Sequence, residues 1–214
     1  TDAQARQNAR LQLGLSIAEI APDIAAQLYQ QAERHWRARA GFNSPGRQIY
    51  DFIGLGRLAA TLQRDDARQW FDRAFASAEQ LPGNERAGLM RVTLEAMAPY
   101  FPQQTEKLAP QLPEEGNASA GWTLSQVVRA LAPVDLAAAQ RLLKTLRERP
   151  NTEEYVLGQA ERTVAVELAK TDPVAALQMA HAIPEARFRA QALASVAAKL
   201  PPERGSAVFR EAFG

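Results

Sequence analysis

Residues 55–74 read LGRLAATLQRDDARQWFDRA, and their apolar positions fall on two stripes with a polar break between them. Leu55, Leu58, Ala59 and Leu62 stand at offsets of 3, 4 and 7, and Ala67, Trp70, Phe71 and Ala74 repeat the same offsets. Residues so spaced share one face of an α-helix. The break contains Asp65 and Asp66, and Asp66 directly precedes the second stripe, where an aspartate oxygen caps orphan N–H groups. The stretch predicts two helices packed face to face across a short turn.

Working outward, the second stripe recurs along the chain. Its copies are Ala25/Leu28/Tyr29/Ala32, Thr105/Leu108/Ala109/Leu112, Ala139/Leu142/Leu143/Leu146, Ala176/Met179/Ala180/Ile183 and Gly205/Val208/Phe209/Ala212. Successive starts lie 29 to 42 residues apart, the length of a helix pair with its loops. The first stripe recurs upstream of these as Leu94/Met97/Ala98/Phe101, Leu124/Val127/Val128/Leu131 and Leu193/Val196/Ala197/Leu200, with weaker copies at Leu13/Ser16/Ile17/Ile20 and Val164/Glu167/Leu168/Thr171. Asp23, Asp135 and Asp172 read as further caps, Pro173 as a first helical residue, and Asn151 with Glu154 as a capping box. No segment alternates with a period of two between hairpin turns, so no sheet is expected. Longer loops are expected at 40–46, 81–84, 113–121 and 149–152.

One helix pair cannot bury its own stripe, so neighbouring pairs must stack into a superhelix with a continuous core. Ala67-x-x-x-Phe71-x-x-Ala74 and Ala25-x-x-x-Tyr29-x-x-Ala32 match the second-helix pattern of the tetratricopeptide-like solenoids, which the chain resembles. The resemblance implies an all-α, right-handed superhelical α-solenoid of about six helix-turn-helix pairs, whose groove, lined mainly by first helices, holds peptides or partner proteins. The expected organisation is one helical-repeat domain over residues 1–214, with units at roughly 2–40, 46–80, 85–113, 118–149, 151–184 and 185–214.

Composition narrows the function classes. Hydrophobic residues make up 46% and charged residues 23% of the chain, ordinary globular usage. With no cysteine, disulfides, thiolate metal sites and cysteine nucleophiles are excluded. No stretch approaches the ~20 apolar residues of a membrane span, so the chain reads as soluble, either cytoplasmic or exported after processing. Thr1 in place of Met fits processing or trimming of the start. Nucleic-acid binders neutralise phosphates with an excess of Lys and Arg, whereas 25 basic residues here meet 24 acidic ones for a net charge of +1.

Candidate chemistry is sparse. His35 and His181 lie far apart with no metal-ligand spacing, so no metal site and no cofactor are expected. The doublets Asp65/Asp66, Glu114/Glu115 and Glu153/Glu154 do not converge, because adjacent helical residues point about 100° apart. Gly54-Leu55-Gly56 lacks the rest of a phosphate loop and reads as a close helix-packing site. Asn117-Ala118-Ser119 fits a glycosylation acceptor. Trp36, Trp70 and Trp122 fall at or beside the apolar stripes and read as packing residues.

The candidate binding groove comprises first-helix positions off the apolar stripe: Arg57, Glu95, Tyr100, Gln126, Arg129 and Lys199. Their mixture of charge, amide and aromatic groups suits recognition of a protein or peptide. A second candidate patch, Trp36, Arg37, Arg39 and Phe42, runs into the first inter-pair loop. The leading expectation is a non-catalytic protein- or peptide-binding scaffold. Two alternatives are a helical-repeat DNA-binding enzyme of the alkylpurine glycosylase kind and the superhelical scaffold region of a larger hydrolase.

Overall fold

Proline opens five of the helices, at Pro22, Pro45, Pro102, Pro173 and Pro202, where its missing N–H costs nothing and its fixed φ is already helical. The computed structural model describes residues 2–39, 44–113 and 120–213, and among these there are twelve α-helices and no β-strand. No described helix is long and apolar enough to cross a membrane. The chain divides into two compact units, residues 1–101 and 102–214.

The first unit holds α1 (Asp2–Ile17), α2 (Pro22–Arg39), α3 (Pro45–Thr61), α4 (Ala67–Glu79) and α5 (Gly83–Met97). Each second helix packs on its own first helix, α2 on α1 and α4 on α3, while α1, α3 and α5 also touch in succession. The predicted stripes form the core: Leu55, Leu58, Ala59, Phe71, Ala74, Leu94 and Ala98 are sealed from solvent. Gly54 and Gly56 are close-packing positions, as the sequence suggests. A side chain begun at Gly54 would meet Leu11 Cδ1 at 2.6 Å, and one at Gly56 would meet the Phe71 ring at 3.0 Å. Gly14 does the reverse, making room for Leu58 Cδ2, which lies 2.7 Å from where its Cβ would stand.

That interlock corrects the reading of α1. The expected stripe Leu13/Ser16/Ile17/Ile20 does not face inward; Leu13 is 51% exposed and Ile20 86%. The buried face is Gln7, Leu11, Gly14 and Ala18, because a glycine opposite a leucine packs better than a bulkier residue would. Gln7 joins it by donating from Nε2 to the Ala32 carbonyl at 3.0 Å.

The second unit runs through α6 (Pro102–Leu108) with a 3₁₀ turn (Ala109–Gln111), then α7 (Ala120–Leu131), α8 (Leu136–Glu148), α9 (Glu154–Leu168), α10 (Pro173–His181), α11 (Ala186–Ala197) and α12 (Pro202–Phe213). Here α7, α9 and α11 touch in succession, and α8, α10 and α12 pack on them. Asp135 and Asp172 cap α8 and α10 by accepting from Ala138 N at 2.9 Å and Ala175 N at 3.0 Å. Asn151 makes no capping box. It sits at φ 59°, a left-handed conformation asparagine tolerates, while Glu153 occupies the cap position of α9. Glu185, unmarked in the sequence, caps α11 through Arg187 N and Phe188 N.

The stripe of α9 also differs from expectation. Aligning the turns at Asp135 and Asp172 places Glu161, Val164, Ala165 and Leu168 opposite Leu124, Val127, Val128 and Leu131. A glutamate thus occupies a leucine seat, which is why pattern matching set the register three residues late. Phe209 departs as well, standing 52% exposed on α12, while Gly205 approaches to where a Cβ would lie 2.6 Å from the Ala197 carbonyl oxygen. The acceptor triplet Asn117-Ala118-Ser119 and the Glu114/Glu115 doublet lie outside the described residues.

Candidate functional site

In the first unit, the face presented by α1, α3 and α5 forms a groove of about 760 Å³, within the size range of ligand sites. Three of the six sequence-predicted positions, Arg57, Glu95 and Tyr100, line it. Asn8, Leu15 and Tyr50 join them; the first two escaped notice because the α1 stripe was set two residues late. Tyr50 is 55% exposed, an aromatic face left open to solvent.

The walls are held from behind. The Tyr100 ring stacks on Phe71 with centroids 6.3 Å apart, and its hydroxyl lies 3.3 Å from Thr61 Oγ1. Glu95 accepts an ion pair from Arg91 one turn earlier on α5. Thr61 Oγ1 also donates to the Arg57 carbonyl at 2.9 Å, but the Arg57 guanidinium has neither a hydrogen bond nor an ion pair with any described residue. Among the described residues the groove therefore offers one free cation and one neutralised carboxylate, set between aromatic and aliphatic walls.

The other three predicted positions belong to the second unit. Gln126 and Arg129 lie on α7, where Arg129 Nη1 donates to Gln126 Oε1 and to Gln159 Oε1 of α9, each at 3.1 Å. Lys199 is exposed and lies beyond the end of α11, in the turn toward α12.

In the second candidate patch, Trp36 packs against other rings. Trp36 meets Phe52 and Trp70, each at 5.2 Å between centroids, and Arg73 stands over both indoles, at 5.7 and 5.0 Å. Arg37 is tied to Glu33 at 2.7 Å. The Arg39 side chain and all of Phe42 lie outside the described residues. Of the three tryptophans, Trp70 is buried, whereas Trp122 keeps 36% of its surface exposed.

Two polar clusters were invisible to pattern reading. Trp70 Nε1 donates to the Tyr29 hydroxyl at 2.7 Å, and that hydroxyl donates to Asp66 Oδ2 at 2.6 Å. Arg64 Nε reaches Asp66 Oδ1 at 3.1 Å while its guanidinium covers the Tyr29 ring at 4.5 Å. Asp66 therefore stands at the cap position of α4 without capping it. Burial pushes its carboxyl up, but the hydrogen bonds from Tyr29 and Arg64 outweigh that and hold it below the usual carboxylate value. In the second unit, Glu161 is 4% exposed and accepts from Arg147 Nε at 2.9 Å, yet its Oε2 has no hydrogen-bond partner. Burial raises the Glu161 carboxyl above its ordinary value despite the arginine.

No protein-family model, no curated protein and no solved structure matches the chain.

Proposed function

We propose that the chain is a non-catalytic helical-repeat scaffold that binds a protein or peptide through its first-helix faces. In this reading its helix pairs wind as a right-handed, tetratricopeptide-like α-solenoid. The observation that carries the proposal is the groove over α1, α3 and α5. Tyr50 and Tyr100 supply aromatic area, Leu15 and Ile53 supply aliphatic area, and the Arg57 guanidinium has no partner among the described residues. Aromatic and arginine anchors flanked by apolar contacts are the side chains that concentrate binding energy at protein interfaces.

A photo-crosslinking side chain placed at position 50, with a second at the outward position 68 as control, tests the groove on the intact protein in extract from its native source. The expected result is one covalent adduct at position 50 that is lost on Arg57→Glu and on Ile53→Asp while the helical circular dichroism is unchanged. Identical adducts at positions 50 and 68, or adducts unaffected by both substitutions, would remove the groove from consideration.

A further inference from the structure

The register that relates the two units carries a second surface. In the first unit the groove is lined by the residues two before and two after the stripe leucine, Ile53 and Arg57 around Leu55 and Val92 and Ala96 around Leu94. The same positions in the second unit are Trp122 and Gln126 around Leu124, Gln159 and Thr163 around Glu161, and Gln191 and Ser195 around Leu193. The groove-equivalent face of α7, α9 and α11 therefore carries one amide from each helix.

Those amides hold two arginines. Arg129 of α7 is shared between Gln126 and Gln159, and Arg162 of α9 donates from Nη1 to Gln191 Oε1 of α11 at 3.3 Å. Neither guanidinium meets a carboxylate of any described residue. α7 and α11 contain no acidic residue, and of the three on α9 Glu161 is committed to Arg147, Glu167 to Lys170, and Glu154 lies in the first turn, about two turns before Arg162. The Arg162 Nε is buried and has no hydrogen-bond partner. Neutral acceptors orient both cations and, among the described residues, leave their charge uncompensated, whereas elsewhere in the unit Arg141 and Arg147 are paired with Glu106 and Glu161.

We infer that this face takes an acidic peptide segment, whose carboxylates meet Arg129 and Arg162. The inference rests on the scaffold reading above and names the ligand class. The planar guanidinium fork matches a carboxylate in two parallel hydrogen bonds, and amide partners that fix the fork beforehand reduce the ordering cost of binding. Neighbouring helix axes lie ~8–10 Å apart, a span of about three residues of extended chain at ~3.4 Å each. Two acidic residues about three apart would therefore reach both arginines, beside Trp122, which stands one turn before Gln126 with 36% of its surface exposed. Two cations are too few for a nucleic-acid backbone, where strong binding comes from neutralising many phosphates.

The test is selection of a phage-displayed random dodecapeptide library on the intact protein. The strongest binder is then synthesised with a fluorescent label, and its affinity is measured for wild type, Arg129→Gln, Arg162→Gln, Arg129→Lys and the outward control Arg68→Gln. The expected result is enrichment of paired Asp or Glu, with affinity falling roughly tenfold or more on either glutamine substitution. Affinity should fall by a smaller factor for Arg129→Lys and not change for Arg68→Gln. Replacing the peptide's acids by amides should remove the difference between wild type and the glutamine variants, a readout that a merely structural role of the arginines would not move. Enriched binders without acidic residues, or binding indifferent to both arginines, would overturn the inference and leave the scaffold reading in place. Failure to enrich any binder would count against both.

Discussion

Replacing Glu161 by leucine should stabilise the protein at neutral pH. The carboxylate sits where Leu55, Leu94, Leu124 and Leu193 sit in the sister helices, with one oxygen unbonded, while Arg147 keeps 43% of its side chain in water. Glu161→Leu forfeits a charge-assisted pair worth roughly 1.5–3 kcal/mol and gains roughly 1.5–3 kcal/mol from burying the leucine. Those contributions offset each other and Arg147 relaxes into solvent. Relief of the desolvated carboxylate remains, about 1–2 kcal/mol in favour of the variant at neutral pH. Because the folded carboxyl titrates above its ordinary value of 4.5, its contribution to stability is full below that value and is lost as pH rises through the folded value. The advantage of the variant should therefore be small near about pH 4, widen above the ordinary carboxylate range and level off once Glu161 is fully ionised. Urea unfolding followed by helical circular dichroism across that range measures it, given equal m-values. A variant less stable than wild type by about 1 kcal/mol at neutral pH would refute the reasoning, since the Arg147 pair would then outweigh desolvation. A gap independent of pH would show that the carboxyl's titration plays no part.

Three further outcomes follow from contacts described above. Tyr29→Phe leaves Trp70 Nε1 buried without its acceptor and should cost about 1–3 kcal/mol in the same unfolding assay, with Arg64→Gln costing less because Arg64 is exposed. Gly205→Ala sets a methyl group against the Ala197 carbonyl, which is backbone and has little room to give. It should cost about 1–3 kcal/mol and appear as faster amide exchange in α12, whereas unchanged exchange would show that the two helices separate freely. Asp135→Ala and Asp172→Ala should each cost about 1 kcal/mol through loss of a cap, while Asp23→Ala, whose residue lies inside the first turn of α2, should cost only about 0.3–1 kcal/mol; equal losses at all three positions would contradict the cap assignment.

The second helices were legible because their stripes begin with small residues that let a neighbour approach, and Ala25, Ala67, Ala139 and Ala176 are all fully or almost fully buried. First helices were legible where a leucine leads an unbroken apolar stripe, as in α3, α5, α7 and α11. They were misread where chemistry replaced size: Gly14 in α1, whose lack of a side chain is the packing device, and Glu161 in α9, a charge that its partner Arg147 makes tolerable. Neither is apolar by type, so no hydrophobic template finds it. The groove was half legible for the same reason. Arg57, Glu95 and Tyr100 come from correctly registered helices, whereas Asn8 and Leu15 come from α1. The amide-held arginines could have been noticed from Gln126-x-x-Arg129 and Gln159-x-x-Arg162, but spacing along one helix says nothing of the bond from Arg129 to the next.

Leu11 fills the space left by Gly54 while Leu58 fills the space left by Gly14, so α1 and α3 are joined by two pegs pointing in opposite directions. Sliding α1 by one turn would drive Leu11 into Tyr50 or Leu58, the residues four away from Gly54, and would push Leu58 against Arg10 or Ala18 instead of Gly14. Such a ratchet has no neighbouring notch to fall into. The seating of α1 on α3 is therefore fixed when the chain folds, and the groove over α1, α3 and α5 has on that side a wall and a floor that keep one relative position.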